Sequence, residues 1–340
     1  MKLGVLLQHY FPYGGLQRDA ARLVRAATDA TLVVSTAENP PKDLELLRLN
    51  SGGSTNHKKL ARFSIDCRDL NQFDQTIAFS RVPGSPFHFC GDPCFLSKFQ
   101  RTKPALAHFL PRYRTLLQIE SAIFGPDSNT HIFFLSPSGP TEFIEAYGLS
   151  DHRYTVLSPW LQKPEGITKT DIRNEFKIPA DAPVALFVGS NFSHKRLGLA
   201  IESIAKTNTH LIACGDDDPS SFQDNPQVHF AGPRDDIPRL MRGANVLLHP
   251  SKHETAGMVL TEALVHHLPV ICTESCGYAP HVKEAGSIVL SVNPTALEVS
   301  NALENVLKNQ EFYRKAAAIW AADESRYRTA EIMLEKMARP

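Results

Sequence analysis

NVLLHPSKHETAGMVLTEALVHH, residues 245–267, is the stretch on which the reading of this chain turns. It opens on an apolar run at 245–251 and closes on a helical pattern at 257–267, with a short polar segment ending in glycine between them. A continuous apolar run is the pattern of a strand buried on both faces, as in a parallel sheet. The alternation continues on either side. Upstream, 183–190 leads to a helix over 197–206, 210–215 to an acidic loop, and 228–232 to a helix over 235–243. Downstream, 269–275 and 287–291 read as further strands. Strand and helix alternating at this spacing predict a parallel sheet covered by helices on both faces, an α/β architecture.

The first half has the same character. Strands are expected at 3–7, 31–35, 75–80 and 131–136, an amphipathic helix ends near Arg25, and 105–123 reads as a helix carrying Arg112 and Arg114. At 340 residues the chain suits two cores better than one. The proline-rich, aperiodic segment 157–170 is the expected linker. The predicted division is therefore a Rossmann-like domain over 1–158, a second over 159–318, and a C-terminal helix over 319–340.

Composition removes several function classes. Lys+Arg and Asp+Glu balance at 36 each, so no global charge draws the chain to nucleic acid. The six cysteines, at 67, 90, 94, 214, 272 and 276, form no C-x-x-C pair and are expected as free thiols in a reducing cytoplasm. No run reaches the ~18–20 apolar residues of a membrane span. The opening MKLGVLLQHYF reads as a first buried strand and not as a signal peptide.

In doubly wound sheets ligands bind beyond the carboxyl ends of the strands, which here are the loops 8–19, 80–95, 190–196, 232–236, 249–259 and 274–278. The richest of them holds Glu254, with Glu262 eight positions later. Ala256, Gly257, Met258 and Val259 open the helix, and their backbone N–H groups and partial positive charge suit a diphosphate. Eight residues of helix rise would separate the carboxylates by about 12 Å, the span from sugar to ribose in a nucleotide sugar. The plain alternative makes Glu254 an acid favoured by the helix dipole and Glu262 a solvated residue; position after a buried strand weighs against it. Gly14 and Gly15 after the first strand let backbone approach a phosphate, and they lack the G-x-G-x-x-G spacing of nicotinamide sites. Lys195, soon after the strand 183–190, could neutralise a departing diphosphate. Asp216-Asp217-Asp218 reads as a solvated acidic turn, and His249, His253, His266 and His267 lack a further ligand cluster, so neither metal nor other cofactor is expected.

The Glu254–Glu262 spacing resembles the E-x7-E signature of glycosyltransferase family 4, which has the GT-B fold. Further pieces resemble the family's lipopolysaccharide-core hexosyltransferases in the same order: Phe11-Pro12-Tyr13-Gly14-Gly15-Leu16-Gln17-Arg18-Asp19, Phe79-Ser80-Arg81-Val82-Pro83-Gly84, Val188-Gly189-Ser190-Asn191-Phe192 and Cys276-Gly277-Tyr278-Ala279. The resemblance implies two Rossmann-like doubly wound domains facing across a cleft, with the donor in the second and the acceptor mostly in the first. It implies a retaining, metal-independent hexosyltransferase using UDP-glucose, with a glycan or lipid-linked glycan acceptor from lipopolysaccharide core or other surface-polysaccharide synthesis. By the same resemblance Glu254 holds the donor sugar and Glu262 the ribose. Lys195 and backbone at 256–259 hold the diphosphate, with Gly14 and Gly15 closing from the other side. Gly189 and Ser190 line the donor loop and Arg234 borders the base. An Arg-Lys pair is implied at 194–195, where this chain has His194-Lys195-Arg196, so His194 would serve only if protonated. Asp92 falls beside the reacting carbon, although a turn Asp before proline is an equal reading. Asp19 would reach acceptor or sugar, unless it is an exposed helix acid. Arg101, Lys103, Arg112 and Arg114 near Phe109 and Leu110 imply contact with the anionic cytoplasmic face of the inner membrane, or else a solvated face. The rivals are a nucleotide-sugar epimerase of the same fold and a non-catalytic nucleotide-sugar-binding protein.

Overall fold

A computed structural model describes residues 1–12, 14–205, 207–222 and 225–339. Tyr13 of the loop motif and Lys206, at the end of the helix expected over 197–206, lie outside the described residues. The chain separates into two compact units, Met1–Trp160 with Arg328–Pro340, and Leu161–Tyr327.

The second unit is built on a six-stranded sheet. From edge to edge its strands are Val228–Gly232, His210–Cys214, Val184–Val188, Val246–His249, Val270–Thr273 and Ile288–Leu290, all parallel. Numbered along the chain within the unit, that is the order 3-2-1-4-5-6 of a doubly wound sheet. The central strands are buried on both faces, which is why they read as unbroken apolar runs. Phe187, Leu211, Val246 and Leu248 meet Leu197 and Ile204 of one helix and Val299 and Leu303 of another in one core.

The first unit carries a seven-stranded sheet in the order Leu46–Arg48, Ala30–Val34, Leu3–Leu6, Gln75–Ala78, Phe87–Cys90, His131–Phe134 and Tyr154–Val156, again all parallel, beside the short pair His9–Tyr10 and Thr36–Ala37. Three of these, Leu46–Arg48, Phe87–Cys90 and Tyr154–Val156, are strands that periodicity does not announce. Phe87–Cys90 is fully buried, but His88 interrupts its apolar run, so the signal is only single residues long.

The helix expected over 105–123 is two elements. A 3-10 turn, Ala105–Phe109, is followed by extended Leu110 and then the α-helix Pro111–Phe124. A residue before proline is pushed out of the helical region, and proline is well placed at the first helical position, so the break falls where the sequence puts Leu110-Pro111. The C-terminal stretch divides into Ala296–Lys308, Gln310–Ala321 and Thr329–Ala338, and only the last belongs to the first unit. The first of these starts at a capping box: Thr295 accepts from the Glu298 N–H at 3.2 Å while the Glu298 carboxylate accepts from the Thr295 N–H at 2.8 Å.

Candidate active site

In the second unit the strand order reverses between Val184–Val188 and Val246–His249, and the loops leaving these two neighbours meet. Lys195, from the loop after the first strand, forms an ion pair with Glu254 Oε1, from the loop after the second. Gly189 makes that reach feasible. A Cβ there would lie 2.5 Å from Lys195 Cε, and Gly189 has φ of +134°. The lysine stem therefore crosses bare backbone. Gly189→Ala is expected to cost about 1–3 kcal/mol through backbone strain and displacement of Lys195, read by thermal unfolding. An unchanged melting temperature would mean the loop absorbs the methyl group.

The Glu254 loop is zipped to the loop after the next strand. Glu254 N–H donates to Ser275 O at 3.1 Å, Gly277 N–H to Glu254 O at 2.9 Å, and Tyr278 N–H to Ala256 O at 2.7 Å. Gly257, with φ of +84°, then turns the chain into the helix Met258–Val265, which carries half-buried Glu262. Because the helix begins only at Met258, the distance between the two carboxylates is not eight residues of helix rise. Ala256 and Gly257 are buried at the helix entrance, while Met258 and Val259 are half-buried.

Burial would by itself raise the Glu254 carboxyl, but the nearby His249 ring and the Lys195 ammonium outweigh it and hold it at about 2. A carboxyl lowered in the folded state adds stability above its unfolded pKa, and that stability is lost as pH falls through the folded value. The stability gap between the native chain and Glu254→Gln should thus be full above about pH 5 and close progressively towards pH 2. A gap constant across that window would show an ordinary carboxyl.

The neighbouring basic residues divide their work. His194 Nε2 donates to His253 O at 2.8 Å, and Lys252 N–H donates to His194 O at 3.0 Å, so His194 ties the two loops together. Arg196 turns elsewhere, donating to Val292 O at 2.7 Å and Asn293 Oδ1 at 2.5 Å. Ser190 is exposed at the start of the loop. Arg234 grips Asp236 with two hydrogen bonds, at 2.7 and 2.9 Å, and pairs with Glu175 at 2.9 Å. Asp217, in the acidic turn, is exposed, yet its Oδ2 accepts from the Phe192 N–H at 2.7 Å and braces the Lys195 loop. Among the described residues no group of three His, Cys, Asp or Glu side chains is arranged to hold a metal ion.

The first unit carries the other expected residues. Gly14 stands at the N-cap of the helix Gly15–Ala26 in extended backbone, where a Cβ would meet the side chains of Gln17 and Phe11. Asp19 is 1% exposed and accepts from Arg22 Nη1 at 3.1 Å, which also donates to Trp160 O at 3.2 Å. The reading of Asp19 as an exposed helix acid is corrected: it lies on the helix's buried face with Ala20 and Leu23. Asp92 is exposed in the turn after Phe87–Cys90.

That turn is held by a residue the motifs do not single out. Glu120, fully buried on Pro111–Phe124, accepts from the N–H groups of Phe95 and Leu96 at 2.8 Å each and from Tyr147 Oη at 2.8 Å. It pairs with Arg81 Nη2 at 3.2 Å, and the same Nη2 donates to Pro93 O at 3.0 Å. Glu120 thus caps the helix Phe95–Thr102 from a distance in sequence and clamps the Asp92 turn through Arg81. A signal existed: Leu117, Glu120 and Phe124 share one buried face at spacings of three and four.

The family model for glycosyl transferases group 1 matches residues 168–319, a range that contains Lys195, Glu254 and Glu262. Lipopolysaccharide glucosyltransferase WaaG of Escherichia coli K12 is 29% identical over 355 aligned positions, covering 96% of this chain and 94% of that protein. The crystal structure of WaaG, a glycosyltransferase involved in lipopolysaccharide biosynthesis, superposes with a TM-score of 0.86 at 26% identity, covering 99% of this chain and all of that one. Anabaena HepE, solved in complex with UDP and glucose, superposes with a TM-score of 0.78 at 17% identity over the full length of both chains. The two parallel sheets are those of the GT-B fold.

Proposed function

We infer that the chain is a group 1 glycosyltransferase of family 4, a retaining family, and that it transfers glucose from UDP-glucose to a sugar of the lipopolysaccharide core or another surface glycan; the family match over 168–319 and the likeness to WaaG along the chain support this reading. The observation that carries the donor site is the Lys195–Glu254 pair at the point where the strand order reverses, with Glu262 on the helix that follows. The name of WaaG supports glucose as the sugar and lipopolysaccharide as the destination.

In this reading Glu254 accepts hydrogen bonds from the sugar hydroxyls and Glu262 from the ribose. Lys195 and the backbone N–H groups of Ala256–Val259 meet the diphosphate, with Gly189 and Ser190 beneath it and His194 as a second cation when doubly protonated. Arg234, occupied by Asp236 and Glu175, serves the base only by shaping the loop beside it. Of the first unit's expected residues, Asp92 is exposed, whereas Asp19 is buried and paired with Arg22 and so would act only through its neighbours. The C1–phosphate bond breaks as the acceptor oxygen bonds C1 on the same face, and a phosphate oxygen takes the acceptor proton. Lys195 offsets the charge that grows on the leaving diphosphate, so charge stabilisation and positioning supply the catalysis.

UDP and UDP-glucose, in the presence of EDTA, should raise the melting temperature, with about 2.7 kcal/mol of stabilisation at a hundredfold excess over Kd. Glu262→Ala should abolish that shift. No stabilisation by any nucleotide sugar would overturn the donor site. Sugar release from UDP-glucose without an acceptor, at a rate no acceptor increases, would favour the epimerase instead.

A peripheral membrane contact on the cytoplasmic face is the second part of the proposal. Leu106 and Phe109 are each 78% exposed in the turn before Arg112 and Arg114, an apolar and basic edge suited to an anionic surface. Among the described residues no helix is long and apolar enough to cross a membrane. Co-sedimentation with phosphatidylglycerol vesicles, lost with pure phosphatidylcholine or with Phe109→Ser, is the expected result.

A further inference from the structure

His249 ends the strand Val246–His249, beneath the loop that carries Glu254. It is fully buried, and its ring lies against Phe187 with centroids 6.5 Å and planes 29° apart. Neither ring nitrogen has a well-formed hydrogen bond among the described residues, but Nε2 lies 3.4 Å from Glu254 Oε1. A polar ring buried without a partner is costly, and leucine or phenylalanine would fill the same space without that cost. Packing alone is thus a poor reason for a histidine here. The Lys195 ammonium meets the same carboxylate oxygen, Oε1. Two donors from different strands converge on one oxygen, which leaves Oε2 for a ligand.

We propose that His249 is a positioning residue for donor-sugar recognition: its neutral imidazole offers Nε2–H to Oε1 of Glu254 and fixes the carboxylate so that Oε2 accepts a sugar hydroxyl. The inference rests on Glu254 being the sugar-binding carboxylate. Burial keeps the imidazole uncharged: with the Lys195 charge it outweighs the attraction of Glu254 and lowers the His249 pKa. The ring is therefore an oriented donor and not a second cation. A contact of 3.4 Å is long, as such hydrogen bonds often are before a ligand completes the site. Phe187 limits rotation of the ring, so tightening requires Glu254 and not His249 to move. Lys195 alone could not supply this orientation, because an ammonium on a flexible stem sets charge without fixing the carboxylate plane.

UDP and UDP-glucose separate a positioning role from a structural one, because only UDP-glucose has a sugar for Glu254 to hold. With the full-length chain and titration calorimetry, His249→Leu should weaken UDP-glucose about tenfold and leave UDP within about twofold. His249→Gln, which keeps an N–H near the Nε2 position, should recover most of the loss. Equal weakening of both ligands, or none, would overturn the proposal. A readout without ligand guards against a misfolded variant and against failure of the donor assignment. In the native chain, the nitrogen-15 imidazole spectrum should show His249 protonated only at Nε2, with that resonance moved by Glu254→Gln. A native chain that binds neither UDP nor UDP-glucose would sink the donor assignment, and the spectrum would then decide the His249–Glu254 contact alone. Protonation at Nδ1, or a resonance indifferent to Glu254→Gln, would overturn it.

Discussion

Glu254→Gln should lower kcat/KM for transfer by about 10²–10³, equivalent to roughly 3–4 kcal/mol of transition-state stabilisation. The substitution keeps the size of the side chain and removes its charge, so the effect comes from electrostatics and orientation and not from a cavity. Two consequences follow from its surroundings. Lys195 loses its partner in a site where only 17% of the lysine side chain is exposed, and the ammonium is then free to take other positions over Gly189. The sugar also loses an ionised acceptor, which makes stronger hydrogen bonds than a neutral amide. Binding of UDP alone should change far less, because the diphosphate keeps Lys195 and the helix N-terminus. A variant with near-native transfer would show that the Glu254 side chain serves only as the partner of Lys195, in which case its melting temperature and not its rate would carry the change.

Glu120→Ala should give the largest stability loss in the first unit, about 3–5 kcal/mol. The carboxylate gathers two helix-start N–H groups, a tyrosine hydroxyl and a guanidinium in a place closed to water. Its removal takes an acceptor from the two N–H groups and the tyrosine hydroxyl, and leaves the Arg81 charge without its carboxylate and with only the Pro93 carbonyl, at 13% side-chain exposure. At about 2–4 °C per kcal/mol for a unit of this size, the first unit's transition should fall by roughly 6–20 °C. Calorimetry is the measurement of choice, since the two units need not unfold as one. The second unit's transition and its affinity for UDP should stay where they are. A shift below about 2 °C would show that the N-terminus of Phe95–Thr102 finds water instead.

The reading of individual residues shows where sequence reasoning was strong. The four inner strands of the second unit's sheet were legible because they are buried on both faces and read as apolar runs, and the half-buried edge strands Val228–Gly232 and Ile288–Leu290 were legible from the turn signals around them. Gly257, Gly189 and the E-x7-E spacing were legible because glycine and paired carboxylates are conspicuous at strand ends. The first unit was harder. His88 broke the one clear run of Phe87–Cys90, and Leu110-Pro111 cut a helix that hydrophobic pattern alone would have continued. Asp19 had two readings, a residue reaching acceptor or sugar and an exposed helix acid, and only the packing of its face removes the second.

What the sequence determined by itself is therefore the class of the fold and the alternation of strand and helix in the second unit. These depend on periodicity and on turn chemistry, which are local. What the tertiary structure decided is which residues complete one another: Lys195 with Glu254 across 59 positions, Arg81 with Glu120, His249 beneath the carboxylate it touches. Strand order places the partners side by side, and strand order is set by how two sheets bury their faces, a sum over the whole core that no window of sequence contains.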